Sequence, residues 1–303
     1  MTAQDRFRAL EAQPLVTVGS SAGVGSSAWG AFKGILAHRE MLNLLVRRDI
    51  RSRYKDSSLG FVWALIRPLT QLAIYYLVIG RVLGAERGIP EFAIYVYTGL
   101  TAYGLFSEIV SGGTSSIVSN AGLIKKVYFQ REVFPLASVG SALFNFVVQL
   151  VILTIATIAF GSPPLTLEAF FFIPAIGIVL VWGLALALLL AAVNVYLRDV
   201  QYLVEVVILL LMWASPIVYT WSMVATITKD HPWLLDVYTN NPVTLAVLGF
   251  QRVFWVSGHG LDPQPYPDDL LVRMIIAIGV GVVALFAAQR VFSRLQGNFA
   301  QEL

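Results

Sequence analysis

The chain has 303 residues, 57% of them hydrophobic and only 13% charged, with a formal net charge of +3. Mean hydropathy is +0.73, and a soluble domain carries about 25% charged residues, so the composition points to a membrane-embedded protein and excludes an ordinary soluble enzyme. No cysteine is present, which removes disulfides, a thiol nucleophile and thiolate metal sites.

Residues 1–28, with the run "VGSSAGVGSSAWG" at their end, read as a flexible Ser/Gly arm. The run has the glycines of a phosphate loop but not its GK[ST] ending, which occurs nowhere in the chain, so ATP is not bound through a P-loop here. The first sixty residues lack a signal-peptide pattern, and the first spanning helix is expected to act as its own insertion signal. Residues 29–58 lead into "LVRRDIRSRYKDSSLGFVWALIRPL". At helical spacing Leu42, Leu45, Val46, Ile50 and Tyr54 share one stripe, while Arg47, Arg48, Arg51 and Lys55 fill the remaining arc. That is the pattern of an amphipathic helix lying in a membrane interface, its basic arc facing lipid headgroups.

A helix needs about 20 apolar residues to cross the bilayer core. Six stretches qualify or nearly do: residues 59–83, 92–111, 133–160, 169–197, 206–227 and 270–289, together forming a transmembrane domain over 59–303. Six crossings place both termini on one side. Fifteen Lys and Arg residues fall on that side, nine of them before the first span, against five on the other. Both termini are therefore expected in the cytoplasm.

Charges within the spans are costly, so the few present carry information. Arg67 in the first span, Glu108 in the second and Glu205 in the fifth lie at similar cytoplasmic depth. They read either as a polar collar at a pore entrance, including an Arg67 ion pair with one of the glutamates, or as snorkelling groups that fix helices. With no ionisable residue at mid-bilayer, a proton relay is not supported. Tyr75 and Tyr76 lie deep in the first span and suit sliding contact with sugar rings, as does Trp213 in the fifth. Tyr219 reads as a pathway residue or as part of the outer aromatic belt, and Trp221 as belt. Packing residues between helices would have the same sequence signature.

Two connections are too long for simple turns. Residues 111–132 hold a short helical candidate over 119–128, with Asn120 as its cap. Residues 229–269 hold "NNPVTLAVLGFQRVFWVSG", too short and too charged to span, which reads as an interfacial or re-entrant element. His38, His231 and His259 share no ligand spacing, and Asp268 and Asp269 read as a loop turn, so no metal site is expected. No nucleophile or paired-carboxylate arrangement suggests catalysis, and the basic run is explained by the membrane rather than by nucleic acid.

Five ordered segments carry a family resemblance: "RRDIRSRYKDSSLGFVWALIRPL", "SNAGLIKKVYFQREVFPL", "NVYLRDVQYL", "WASPIVY" and "NNPVTLAVLGFQRVF". Together they resemble the ABC-2 permeases, and most closely the branch exporting O-antigens, teichoic acids and related envelope polysaccharides, galactan precursors included. Tyr103 and Gln130 stand where the family often has Trp and Pro.

The resemblance implies an all-α polytopic fold: six transmembrane helices, an N-terminal amphipathic interfacial helix, a cytoplasmic coupling helix and extracytoplasmic re-entrant helices. It implies a homodimer in the plasma membrane working with two ABC ATPase subunits. ATP and Mg would be held by those partners, with no cofactor in this chain. The residues Leu123, Lys125, Lys126, Val127, Tyr128 and Arg131 would then be the ATPase-coupling contact, although the three basic ones also satisfy the positive-inside rule alone. The expected cargo is a glycan on a polyprenyl pyrophosphate. The alternative is a small lipid or drug.

Overall fold

The computed structural model describes residues 39–54, 62–126 and 130–303. Among them every regular element is helical. Helix α1 is Arg39–Tyr54, α2 is Trp63–Ile74 continuing as a π-helix over Tyr75–Val82, and α3 is Phe92–Ser119. There follow α4 (Ala121–Ile124), α5 (Val133–Ala159), α6 (Phe172–Tyr196), α7 (Val200–Trp213), α8 (Trp221–Ile227), α9 (Pro232–Thr239), α10 (Pro242–Phe254), α11 (Leu270–Leu295) and α12 (Phe299–Glu302).

Among the described residues four helical stretches are long and apolar enough to cross a membrane: Trp63–Val82, Val133–Ala159, Leu167–Tyr196 and Leu270–Asn298. The two other expected spans depart for different reasons. Helix α3, at 28 residues, is about 42 Å long, so length is not what it lacks. Its Gly, Ser, Thr and Tyr content lowers its hydropathy because it runs through the centre of the bundle, packed by α5, α6, α7 and α10. Helix α7 has 14 residues, about 21 Å, which is shorter than a bilayer core of about 30 Å.

The sequence reading ended the second span at Ser111 and began a loop there. The helix instead continues through Ser119. Gly113 lies against Ala187 of α6, where an added Cβ would come within 2.3 Å of the alanine Cβ, so the small residue is the contact surface between two helices rather than a breaker. Thr114, Ser115, Ser116 and Ser119 donate to carbonyls three or four residues back, which keeps their hydroxyls satisfied inside the helix.

The fifth predicted span, 206–227, is also redrawn: its helix starts at Val200 and stops at Trp213. Pro216 cannot continue the backbone ladder. The carbonyls freed by the break are met by side chains. Ser215 donates to Leu211 O, Tyr219 to Trp213 O, and Thr244 to Ala214 O. Pro216 O accepts from Gln251 at 2.6 Å, and the single Tyr95 hydroxyl proton lies between Tyr219 O at 2.6 Å and Pro216 O at 2.9 Å. A non-helical segment inside an apolar bundle persists only with such donors.

Two buried clusters organise the bundle. The larger joins α3, α5, α6 and α10 with Ile217 and Tyr266; the smaller joins Leu45 of α1, the start of α5, the last turns of α6 and Phe299. We call the end holding the smaller cluster the near end. The stripe predicted on α1 is used there: Leu45 is buried, and Leu42 and Val46 pack against the same cluster. Val46 reaches a slot left open by Gly140 of α5, where a Cβ would meet its Cγ2 at 2.6 Å.

At the far end α10 is buried along nearly all its length. Asn241 caps it by accepting from Val243 N, and Pro242 occupies its first position. Arg252, the charge that made this segment look unfit for the interior, forms a two-pronged pair with Glu168 at 2.8 and 3.1 Å. Its guanidinium also lies 4.5 Å from the Phe171 ring centroid and 5.6 Å from that of Tyr266. Burial pushes the Tyr266 hydroxyl well above the ordinary phenol range, with Arg252 pulling the other way.

Candidate functional site

The near end holds a recess between α3 and α7 of about 340 Å3, lined by Glu108, Ser111, Gly112, Thr114, Ser115, Gln201, Val204 and Glu205. Glu108 of α3 and Glu205 of α7, separated by almost a hundred positions in the chain, thus both line one recess. Glu108 Oε1 accepts from Asn145 Nδ2 of α5 at 2.6 Å. Arg67 lies on α2 one residue before Pro68, and its side chain falls outside the described residues.

The recess keeps its shape through Asn194, buried in the last turn of α6. Its Nδ2 donates to Thr114 O at 3.1 Å and its Oδ1 accepts from Gln201 N at 3.2 Å, tying α3 to the start of α7. On the far side Tyr103 donates to Ile208 O of α7 at 2.7 Å. Asn145, Asn194 and Tyr103 were not singled out as site residues in the sequence. A polar side chain within an apolar span is the signal that marks all three.

The recess therefore presents two carboxylates and four hydroxyl or amide side chains beside Gly112 and Val204, so that polar and apolar surface are about equally represented. Such a lining can hydrogen-bond a polyhydroxyl ligand while meeting its C–H faces. Among the described residues no three His, Cys, Asp or Glu side chains come together in a metal-binding group.

The aromatic candidates separate into two groups. Tyr75 sits in the π-helical stretch and its hydroxyl approaches Met212 Sδ at 3.5 Å, so α2 meets α7 one residue from Trp213. Trp213 is half exposed on α7, and Tyr219 donates to its carbonyl at 2.7 Å. Tyr76 is held elsewhere: its hydroxyl accepts from Arg81 at 3.0 and 3.2 Å, and that guanidinium lies 5.5 Å from its ring centroid.

The basic arc of α1 is divided as well. Arg47, Arg48 and Arg51 are all exposed, but Arg48 also turns back to bind Asp49 Oδ1 at 2.9 Å and Asn120 Oδ1 at 2.7 Å. Lys55 lies outside the described residues. Asn120 stands at the N-cap position of α4 as the sequence suggested, but its side chain does not cap: its amide donates to Ser116 O and Ser119 Oγ instead. The physical reason is competition, since the end of α3 and the Arg48 guanidinium take its side chain first.

In the connection after α3, helix α4 spans only Ala121–Ile124, not 119–128. Ile124 is buried, Leu123 packs partly against the near-end cluster, and Lys125 and Lys126 are exposed. Val127 and Tyr128 lie outside the described residues. Arg131 stands apart from the lysines, its guanidinium 5.6 Å from the Phe299 ring centroid. Next to it Glu132, which is buried, accepts from Gln289 and Gln296 at 3.2 Å each.

Comparison with known proteins adds an independent line. Residues 40–255 match the membrane domain family described as ABC-2 type transporter. A protein of Myxococcus xanthus named O-antigen export system permease protein RfbA is 31% identical over 267 residues, covering 88% of this chain and 96% of the relative. A protein of the same name from Klebsiella pneumoniae is 26% identical over 265 residues, covering 87% and 95%. A polysialic acid transport protein KpsM of Escherichia coli is 30% identical over a shorter stretch of 95 residues, 31% of this chain and 36% of the relative.

Proposed function

The chain belongs to the ABC-2 type transporter family, and from that premise we propose that it is the transmembrane permease subunit of an ATP-driven exporter of a cell-envelope polysaccharide. Alignment with O-antigen export permeases along nearly their whole length supports the substrate class. The observation that carries the reading is the recess of Glu108, Glu205 and their hydroxyl neighbours. The relatives named as O-antigen export permeases, rather than the recess, disfavour export of a small lipid or drug.

Finer points of the mechanism are part of the same proposal. Six membrane crossings, with α3 and the α7–α8 pair as the second and fifth and α9 and α10 re-entrant, would place both termini in the cytoplasm. The exposed apolar faces of α2 and α7, including Leu77, Leu203, Val206 and Leu210, support a second copy of the chain across a central pore. Glu108 and Glu205 would meet the glycan first, and Tyr75, Trp213 and Tyr219 would offer it flat sliding surfaces. Lys125 and Lys126 would dock the ATPase, and the glycan would arrive on a polyprenyl pyrophosphate whose charge meets Arg47 and Arg51. ATP hydrolysis belongs to the partner subunit.

Reconstitution of the permease with its ATPase in vesicles tests this. Addition of a polyprenyl-pyrophosphate-linked glycan is expected to stimulate ATP hydrolysis and move the glycan across the bilayer. Stimulation by small lipids or drugs and not by the glycan would reverse the assignment.

A further inference from the structure

A second cavity, of about 410 Å3, lies between α1, α3 and α5 and shares Gly112 and Ser115 with the recess as a common wall. Its volume is in the range of about 300–1,000 Å3 typical of small-ligand pockets. Six serines line it: Ser52, Ser115, Ser116, Ser119, Ser138 and Ser141. Each donates its hydroxyl proton to a backbone carbonyl of its own helix, at distances from 2.6 to 3.3 Å.

That pattern decides what the cavity can bind. A serine whose proton is used on its own backbone faces the cavity with oxygen lone pairs. The one guanidinium present, Arg48, is neutralised by Asp49 at 2.9 Å and also engaged by Asn120. Phosphate offers only acceptors and would meet a wall of acceptors. A sugar ring offers several O–H donors, and its C–H face fits the apolar side of the cavity formed by Leu45, Phe134 and Ala137.

We propose that this cavity is a sugar subsite that holds the ring nearest the pyrophosphate, accepting hydrogen bonds from its hydroxyls while the pyrophosphate stays outside on Arg47 and Arg51. The placement follows from α1 alone. Arg47, Arg48, Arg51 and Ser52 are all exposed, but Arg48 and Ser52, each one residue further on, also line the cavity, whereas Arg47 and Arg51 do not. A headgroup on the outer arc therefore has its first sugar within about one helix diameter, roughly 10 Å, of the serines. The proposal rests on the reading of the chain as a polysaccharide permease.

The test uses the complete transporter, permease with ATPase, and two labelled probes: a polyprenyl pyrophosphate carrying a disaccharide, and the same lipid without sugar. Ser116→Ala, Ser138→Ala and Ser141→Ala are combined, a change that leaves the helical ladders intact. Ser138→Leu, which fills the cavity instead, is made separately. Both variants are expected to bind the glycosylated lipid roughly tenfold or more weakly, with binding of the bare lipid unchanged. Equal loss for both probes would mean that the cavity holds the headgroup or only supports the fold, and unchanged binding of both would place the sugar elsewhere; either overturns the subsite. Wild-type vesicles that transport the glycan while the variants bind both lipids normally sink the subsite alone. Wild-type vesicles that do not transport it sink the export reading, and the subsite with it.

Discussion

A carbonyl freed by a proline break inside an apolar bundle needs donors brought to it, and Pro216 O has Gln251 at 2.6 Å and a share of the Tyr95 proton, which lies 2.9 Å away and 2.6 Å from Tyr219 O. Both donors are almost fully buried. Gln251→Leu leaves that carbonyl with one partner and is expected to cost about 1–3 kcal/mol, read as an earlier unfolding transition of the detergent-solubilised protein. Thr244→Val should cost less, because its bond to Ala214 O is long at 3.4 Å. Wild-type stability of Gln251→Leu would show that the break does not depend on this bond. Tyr75 makes the opposite case. Its hydroxyl reaches only a thioether sulfur at 3.5 Å, a weak acceptor, so Tyr75→Phe should retain glycan transport in the vesicle assay while Tyr75→Ala reduces it severalfold. If Phe and Ala prove equally defective, the hydroxyl matters more than the flat ring face.

At the scale of elements, the run from Ser111 to Asn120 shows both what a sequence displays and what it conceals. Glycine and serine clusters mark loops in soluble proteins, and the same residues mark close helix contacts where the solvent is lipid. Nothing local distinguishes the two. The difference lies in Ala187, 74 positions further along the chain. The stripe of α1 was legible because its periodicity is local and its partner needs only to be apolar. The break at Pro216 was visible as a proline, but not as the end of a helix, because the donors that stabilise the break come from α3 and α10. Gly113→Ala tests the contact reading. With the α6 backbone 2.9 Å from the new Cβ, α3 and α6 must separate, and overpacking of this kind costs about 1–3 kcal/mol. Gly122→Ala, in α4 with open space around its Cβ, should be neutral or stabilising by up to about 1 kcal/mol. Equal effects of the two substitutions on unfolding would remove the packing explanation.

For the whole molecule, the near end gathers the features that a transporter must connect: the basic helix, the two polar cavities, the lysine-bearing turn and the end of the chain. The family resemblance was legible from five short segments, while the wiring between them was not, since Asn120, Asn145, Asn194 and Glu132 act through partners far away in sequence. That wiring also divides the proposed coupling residues. Arg131 lies over Phe299, which is fully buried, so Arg131→Ala should loosen the C-terminal packing and lower stability. Lys125 and Lys126 are exposed at the end of α4 and are expected to be unimportant for folding. Reversing both to Glu sets negative charge against the acidic ATPase groove that the coupling proposal requires, and like charges at an interface cost several kcal/mol. The double variant is therefore expected to insert and unfold like the wild type while its ATPase dissociates or hydrolyses ATP without moving glycan, and Lys substitutions in the partner's groove should restore transport. Topology is the control, and nine basic residues ahead of α2 should hold the orientation. Normal ATPase retention and normal export by a correctly inserted double variant would remove this turn from the coupling path and leave the ATPase contact to be found elsewhere on the near end.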